Sequence, residues 1–325
     1  MKRYSTNMKI AFVGKGGSGK TTASSLFAQY QSESRLVLAV DADINMHMAE
    51  LLNNKQPIKG QLISEKEPSE AIRTYLRGDN IRISTNAYFK KSTPPGSGSN
   101  LVDITDTQDW LVSTYGQKIT DTLSLVTVGS YSEEGVASSC YHNNLSVLEN
   151  VLSHTVDHGV IVVDMVAGTD AFASTLFSQF DMLVFVVEPT NRSIAVLEQY
   201  QHLAKHSGIT DKLFVIANKV ENDDDYTFLE SKIGGDKLVG SISRSSHLLR
   251  VDKGQEILDI HALDKKDQEV FTTLANLLKK HTVSMQERLP QLWGLHKIYV
   301  NQGFVKDRFG DLTTQIDLTF EYPKE

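Results

Sequence analysis

Near the start of the chain, Gly14-Lys15-Gly16-Gly17-Ser18-Gly19-Lys20-Thr21, followed by Thr22, has the composition and spacing of a loop that holds the phosphates of a Mg-nucleotide. Glycines let the backbone approach phosphate oxygens, a helix opening at the end of the loop offers free N–H groups and a positive dipole end, and a lysine neutralises β/γ charge. Lys20 is then the side chain that contacts the β- and γ-phosphates, and the Thr21 hydroxyl is a direct Mg ligand, because this hard cation prefers oxygen donors. Magnesium keeps several waters, and these need carboxylates at strand ends. Asp164, directly after the apolar run Val160 to Val163, is placed to hold such a water as the Walker B residue. The plainer alternatives are a Gly-rich turn without a ligand and, for Asp164, a turn or cap residue.

Such groups need a scaffold that brings strand ends together. Lys9 to Val13, Arg35 to Val40, Val160 to Val163, Met182 to Val187, Leu213 to Ala217 and Lys237 to Ile242 are aliphatic runs, each read as a strand. Helical patterns fall between them, at Thr22 to Tyr30, Leu145 to Ser153 and Ser193 to His206. Strands buried on both faces and alternating with helices predict an α/β fold with a doubly wound, mostly parallel sheet and function gathered at the strands' C-terminal ends. The stretch 53–116 breaks this rhythm and reads as an insertion, with a mobile loop at Lys90 to Ser99, where Ser, Pro and Gly crowd together. After a helix at Gln268 to Lys280, Lys297 to Phe304 and Thr313 to Phe320 read as two strands about a turn. The expected organisation is an ATPase domain over 1–283 and a small C-terminal β-hairpin appendage over 284–325.

With 325 residues, 40% of them hydrophobic, the chain can bury a substantial core. A formal net charge of −7 argues against general attraction to nucleic acid or anionic lipid. The single cysteine, Cys140, has no partner for an intramolecular disulfide, and the opening residues Met1 to Asn7 are merely polar, so the expected compartment is the cytoplasm. No apolar run approaches the roughly 20 residues that cross a bilayer.

The second lysine inside the loop, Lys15, gives the segment Lys-Gly-Gly-Ser-Gly-Lys-Thr-Thr, which resembles the deviant Walker A motif of the ParA/MinD group of ATPases. The resemblance implies ATP as ligand and an ATP-dependent homodimer in which Lys15 reaches the partner's phosphates; otherwise Lys15 is a solvated loop charge. It implies that Asp41, in Asp41-Ala42-Asp43, helps hold the Mg water shell and that Asp43 orients the attacking water. It also implies that Gly168 senses the γ-phosphate and that Asn218 reads the adenine edge, against a plain cap at the strand end.

Three segments, Val37 to Asn45, Val184 to Ser193 and Ile216 to Val220, narrow the resemblance to the CooC-type ATPases that mature a nickel-containing carbon monoxide dehydrogenase. Nickel-carrying members have a Cys-X-Cys pair upstream of Walker B. Here the corresponding segment is Ser138-Ser139-Cys140-Tyr141-His142, so one thiol is replaced by imidazole. Two copies would supply a Cys₂His₂ set suited to Ni or Zn, whereas a lone Cys and a lone His are otherwise a small hydrophobe and a hydrogen-bonding residue. The implied function is a Mg-dependent, nucleotide-switched ATPase for maturation of a metalloenzyme client. The alternatives are a positioning or scaffold ATPase working on a partner surface, and a small-molecule kinase or ligase.

Overall fold

The computed structural model describes residues 7–53, 55–58, 60–130, 144–156, 158–169, 172 and 175–324. Strand β1 (Met8–Gly14) leads into helix α1 (Lys20–Ser32), and β2 (Val37–Ala42) into α2 (Met48–Asn53). Helices α3 (Lys66–Arg77) and α4 (Trp110–Tyr115) precede β3 (Gln117–Lys118), β4 (Leu123–Thr127) and α5 (Leu145–Ser153). Then come β5 (Val160–Met165), β6 (Met182–Val187), α6 (Asn191–His206), β7 (Leu213–Val220), α7 (Asp223–Ile233), β8 (Leu238–Ser243) and α8 (Ser246–Asp252). Helices α9 (Lys265–His281), α10 (Met285–Val300) and α11 (Gly303–Phe309) close the chain.

The strands form one eight-stranded sheet in the order β3-β4-β2-β5-β1-β6-β7-β8. All pairs are parallel except β3 with β4. Every residue of β1, β2, β5 and β6 is buried, which is why these strands read as continuous apolar runs. Along β1, Ala11 and Val13 enter the core on one side of the sheet, while Ile10 and Phe12 enter the other. With β1 between β5 and β6, successive crossovers leave it in opposite directions, and the crevice outside its C-terminal end is where such sheets take ligands.

The C-terminal β-hairpin is not formed. Lys297 to Phe304 spans the end of α10 and the start of α11, and Thr313 to Phe320 holds one 3-10 turn at Thr313–Gln315. Tertiary burial overrides the local β propensity here. Met285, Leu289, Leu292, His296 and Val300 recur at helical spacing and are all buried. Ser284 and Glu287 start the helix with a reciprocal capping box.

The loop expected to be mobile is instead an internal one, with Ser92 to Gly96 buried. The Thr93 hydroxyl donates to Gln315 Oε1 at 3.1 Å, Ser92 Oγ meets His296 Nδ1 at 3.1 Å, and the Ser97 hydroxyl donates to Asp317 Oδ2 at 2.7 Å. The insertion and the C-terminal segment therefore satisfy one another's polar groups. Their joint anchor to the sheet is Arg288 on α10, whose guanidinium pairs with Asp181, both side chains being fully buried. Arg288 also donates to the Ser178 carbonyl at 3.2 Å, and Asp181 accepts the Lys9 N–H at 2.9 Å. Helix α10 is thus fixed to the beginnings of β1 and β6, the end of the sheet opposite the crevice.

His154, at the end of α5, is fully buried, with Nδ1 2.8 Å from the Asn150 carbonyl and its ring against Phe89. Burial pushes its pKa down to about 4, with the Lys9 charge adding to the effect. Because the folded value lies below the unfolded one near 6.5, the unfolded chain binds the extra proton, and this contribution to stability is lost as pH falls from about 6.5 to about 4. The expected loss from this residue is about 3 kcal/mol. Urea titrations across that range should show a steeper acid dependence for the native sequence than for His154→Gln; equal slopes would remove His154 as the cause.

Candidate functional site

The loop between β1 and α1 is fixed by close approach on both sides. A Cβ on Gly14 would lie 2.6 Å from the Val186 carbonyl oxygen, and one on Gly19 would lie 2.0 Å from Asn218 Nδ2. Gly17 and Gly19 also have left-handed backbones, with φ of 78° and 90°. The Asn218 amide donates to the Ser18 carbonyl at 2.8 Å, so this residue braces the loop from the end of β7. The Gly168 N–H donates to the Gly14 carbonyl at 3.0 Å, which brings the segment after β5 onto the same loop. Neither Gly17 nor Gly168 would have a neighbour within 4 Å of an added Cβ, so both face open space.

Beneath the loop lie three carboxylates. The register of β2 on β5 sets Asp41 beside Asp164, and both are fully buried. Asp41 accepts N–H groups from Met48 at 2.9 Å and Asp43 at 3.2 Å. Burial nevertheless raises its pKa above the ordinary carboxylate range, and the charge of Asp43 contributes. Burial, followed by the charge of Asp41, also raises Asp164 well above the ordinary carboxylate range, against Lys20 and the Thr21 hydroxyl, which favour its ionised form. Neither oxygen of Asp164 completes a hydrogen bond of full geometry, and the buried Ser18 hydroxyl is likewise unpartnered among the described residues. Asp43 is held by Asn45, through its N–H at 3.0 Å and its amide at 2.9 Å, and its Oδ2 lies 3.7 Å from Lys20 Nζ. Buried acceptors without donors around a lysine and a threonine hydroxyl are what a hydrated divalent cation would satisfy, so the donor set fits magnesium.

Asp43, Asn45, Lys20 and Thr21 line a cleft of about 550 Å³, while Asp41, Asp164 and Ser18 are fully buried. Gly16, Gly17, Gly19, Lys20, Thr21, Thr22, Asp43 and Asn218 reach its wall. Lys20 is buried, whereas Lys15 stands at the rim with 36% of its side chain exposed. Cys140 and His142 lie outside the described residues, as does Asp157. His154 is a core residue, far more enclosed than a ligand open to an entering ion.

Several site residues escaped the sequence reading. Glu188, at the end of β6, pairs with Lys15 at 3.5 Å through one oxygen and with Lys219 at 2.8 Å through the other. Lys219 Nζ also donates to the Gly17 carbonyl at 2.6 Å. Ser243, closing β8, and Arg244, Ser245 and Leu248 after it form another part of the cleft wall. A polar residue closing an apolar run, the cue that singled out Asp164, was present at Glu188 and Ser243 too. Among the described residues, Met46 and Lys219 are the non-glycine positions with left-handed φ, 54° and 59°, and both flank this cleft.

Gly19→Ala forces its Cβ into the Asn218 amide at a backbone angle that disfavours any side chain. The expected result is a loss of about 2 kcal/mol in Mg-ADP affinity, roughly thirtyfold, by calorimetric titration. Retention of the native affinity would mean that the Asn218 brace is dispensable for the loop.

Residues 10–257 match the family described as the CobQ/CobB/MinD/ParA nucleotide binding domain. An uncharacterised ATP-binding protein of Methanocaldococcus jannaschii is 31% identical over 220 residues, 67% of this chain and 77% of that protein. The carbon monoxide dehydrogenase accessory protein CooC of Rhodospirillum rubrum is 27% identical over 249 residues, 76% of this chain and 87% of that protein. Among solved structures, a ParA family ATPase from Chlorobium tepidum superposes with a TM-score of 0.56 at 19% identity, covering 83% of this chain and 99% of that one. The MinC:MinD cell division complex of Aquifex aeolicus gives 0.54 at 16% identity, covering 84% and 96%. At such identities the two structures speak to fold alone.

Proposed function

This chain belongs to the CobQ/CobB/MinD/ParA nucleotide-binding family, and on that premise we propose that it is a Mg-dependent ATPase, switched as a homodimer by ATP, that serves maturation of a metalloenzyme in the cytoplasm. The observation that supports the switch is the division of labour between two lysines of one loop: Lys20 is buried among the carboxylates, while Lys15 points to the rim and is held by Glu188. One lysine serves the phosphates of its own subunit. The other, as in a deviant Walker A motif, serves those of a facing copy. Similarity to CooC supports the metalloenzyme role.

Within the site, the loop N–H groups and Lys20 would hold the phosphates, Thr21 would be the direct protein ligand to magnesium, and Asp41 and Asp164 would help hold its waters. When bound, magnesium supplies charge neutralisation at the β- and γ-oxygens. Asp43, fixed by Asn45, is the carboxylate that orients the attacking water, and the Gly168 N–H reports the γ-phosphate by leaving the Gly14 carbonyl, its acceptor in this structure. Hydrolysis of this kind depends on positioning and charge stabilisation more than on covalent help.

Asp43→Ala should therefore accumulate an ATP-bound dimer that persists longer than the native one, and Lys20→Ala should form none; sedimentation with Mg-ATP decides both. Glu188→Gln releases Lys15 from its counterion within the subunit. It should shift the ATP-dependent dimer equilibrium toward association by about threefold to tenfold, in line with the small worth of a part-exposed pair in each subunit.

Native mass spectrometry with ADP or ATP plus Mg, with and without Ni or Zn, tests the client role. One transition metal per ATP-bound dimer, lost in Cys140→Ser, is the expected outcome and makes Cys140 and His142 its ligands. A metal-free dimer indifferent to Cys140 would transfer the assignment to a positioning or scaffold ATPase.

A further inference from the structure

Of the nine large apolar side chains exposed on the described surface, six belong to the insertion or to the segment after residue 283. Within that lobe, ring and cation contacts join a continuous patch. Tyr88 meets Phe309 edge-on with ring centroids 5.9 Å apart, and Lys90 Nζ stands 3.0 Å over the Phe309 ring centre. The Arg308 guanidinium lies 5.2 Å from the same ring. Lys91 Nζ lies 5.1 Å from the ring of Tyr299, which in turn meets Phe304 edge-on at 6.3 Å. Phe304 is 68% exposed. Tyr299, Phe304, Arg308 and Phe309 lie beyond residue 257, where the family match ends.

The charges of the patch are mostly positive, although Asp307 adjoins Arg308 on α11 and the charge of Glu149 is felt at Tyr299. Arg82, Arg244 and Arg250 elsewhere each meet a carboxylate, but among the described residues Lys90, Lys91 and Arg308 form no ion pair. Asp311, a further acid on the same stretch, takes the Thr313 hydroxyl at 2.6 Å and forms no ion pair with these three cations among the described residues. Crowding is visible at Lys90, whose pKa falls to about 8 through burial and then through the charges of Arg308 and Arg73. In a chain of net charge −7, a cluster of unpaired cations beside an exposed phenylalanine is a local exception with a preferred complement.

We propose that this patch, built from Lys90, Lys91 and Arg308 around Tyr88, Tyr299, Phe304 and Phe309, docks an acidic segment of a partner protein that lays an apolar side chain against Phe304. A nucleic acid strand fits less well. Base stacking needs free ring faces, and the Phe309 face is covered by Lys90. A long polyanion would also feel the acidic remainder of the chain, whereas a short segment seated within a Debye length, about 10 Å, feels mainly the local cations. The patch shares no residue with the nucleotide cleft, and the inference goes beyond the ATPase reading without depending on it.

The test is panning a random dodecapeptide library on the immobilised full chain, followed by fluorescence anisotropy of the enriched peptides on the native protein, on a Lys91→Glu, Arg308→Glu double variant, and on Phe304→Ser. Mg-ADP binding serves as the control for folding. The expected result is enrichment of acidic peptides carrying an aromatic or aliphatic residue, with affinity that drops at least about tenfold in the charge-reversed variant, falls with added salt, and weakens in Phe304→Ser. No enrichment, enrichment of neutral or basic peptides, acidic peptides that bind all three proteins alike, or tighter binding of a single-stranded oligonucleotide would each overturn the proposal.

Discussion

Asp41 and Asp164 are register partners on adjacent parallel strands, both fully buried, at the floor of a phosphate-binding loop. Two neighbouring carboxylates cannot both be ionised in such a place unless positive charge is delivered to them. The protein supplies part of it through Lys20 and the N–H groups of Asp43 and Met48. The remainder is what a bound cation would supply. Much of the surrounding architecture follows from that requirement: β1, β2 and β5 must lie in register, α1 must start directly above them, and the turn after β2 must fold back so that Asp43 approaches Lys20. The raised pKa values of Asp41 and Asp164 are the electrostatic trace of the same arrangement.

Around the rim, polar contacts hold the loop in one shape rather than neutralise buried charge. Asn218 and Lys219 reach in from the end of β7 to the carbonyls of Ser18 and Gly17, and Glu188 from the end of β6 ties Lys219 and Lys15 together. The left-handed backbone at Lys219 is what turns its side chain toward the loop, a local strain offset by two charge-assisted contacts. Lys15 is the most weakly held member of this set, its 3.5 Å contact being the longest and its side chain more than a third exposed, so it is the contact that an arriving negative charge displaces at least cost.

What the sequence made legible follows from how local each signal is. Five of the six strands found are those whose burial on both faces leaves an aliphatic run, the sixth being the half-buried edge strand β8, and the loop Gly14 to Thr21 carries its chemistry in consecutive residues. Strand β4 was missed because Leu123-Ser124-Leu125-Val126-Thr127 is short and broken by a serine, and β3 is a two-residue edge. Lys90 to Ser99 has the composition of a free loop, but the groups that bury it, His296, Gln315 and Asp317, lie some two hundred residues further on. The final segment misled for the reverse reason: Ile298, Tyr299 and Val300 favour strands, while the stripe that makes a helix includes His296, which pattern reading counts as polar. In the site, Glu188 and the residues after β8 were invisible as a pair of walls, because nothing in their own neighbourhood says which strand end they face.

The two halves of the molecule meet through β1 and β6. At one end these strands carry Gly14 and Glu188, and at the other they begin beside Lys9 and Asp181, which hold α10 through Arg288 and through Met285 Sδ, 3.1 Å from Lys9 Nζ. Both strands are buried along their whole length and paired on both sides, so they cannot bend locally without breaking a ladder and a packed core. The lobe of insertion and C-terminal helices is therefore coupled rigidly to the nucleotide loop rather than through a hinge. In the proposed nucleotide-switched dimer, re-orientation of one subunit against another would reach that lobe as a change of position and not of internal shape, which is the mechanical property the proposed docking patch would require.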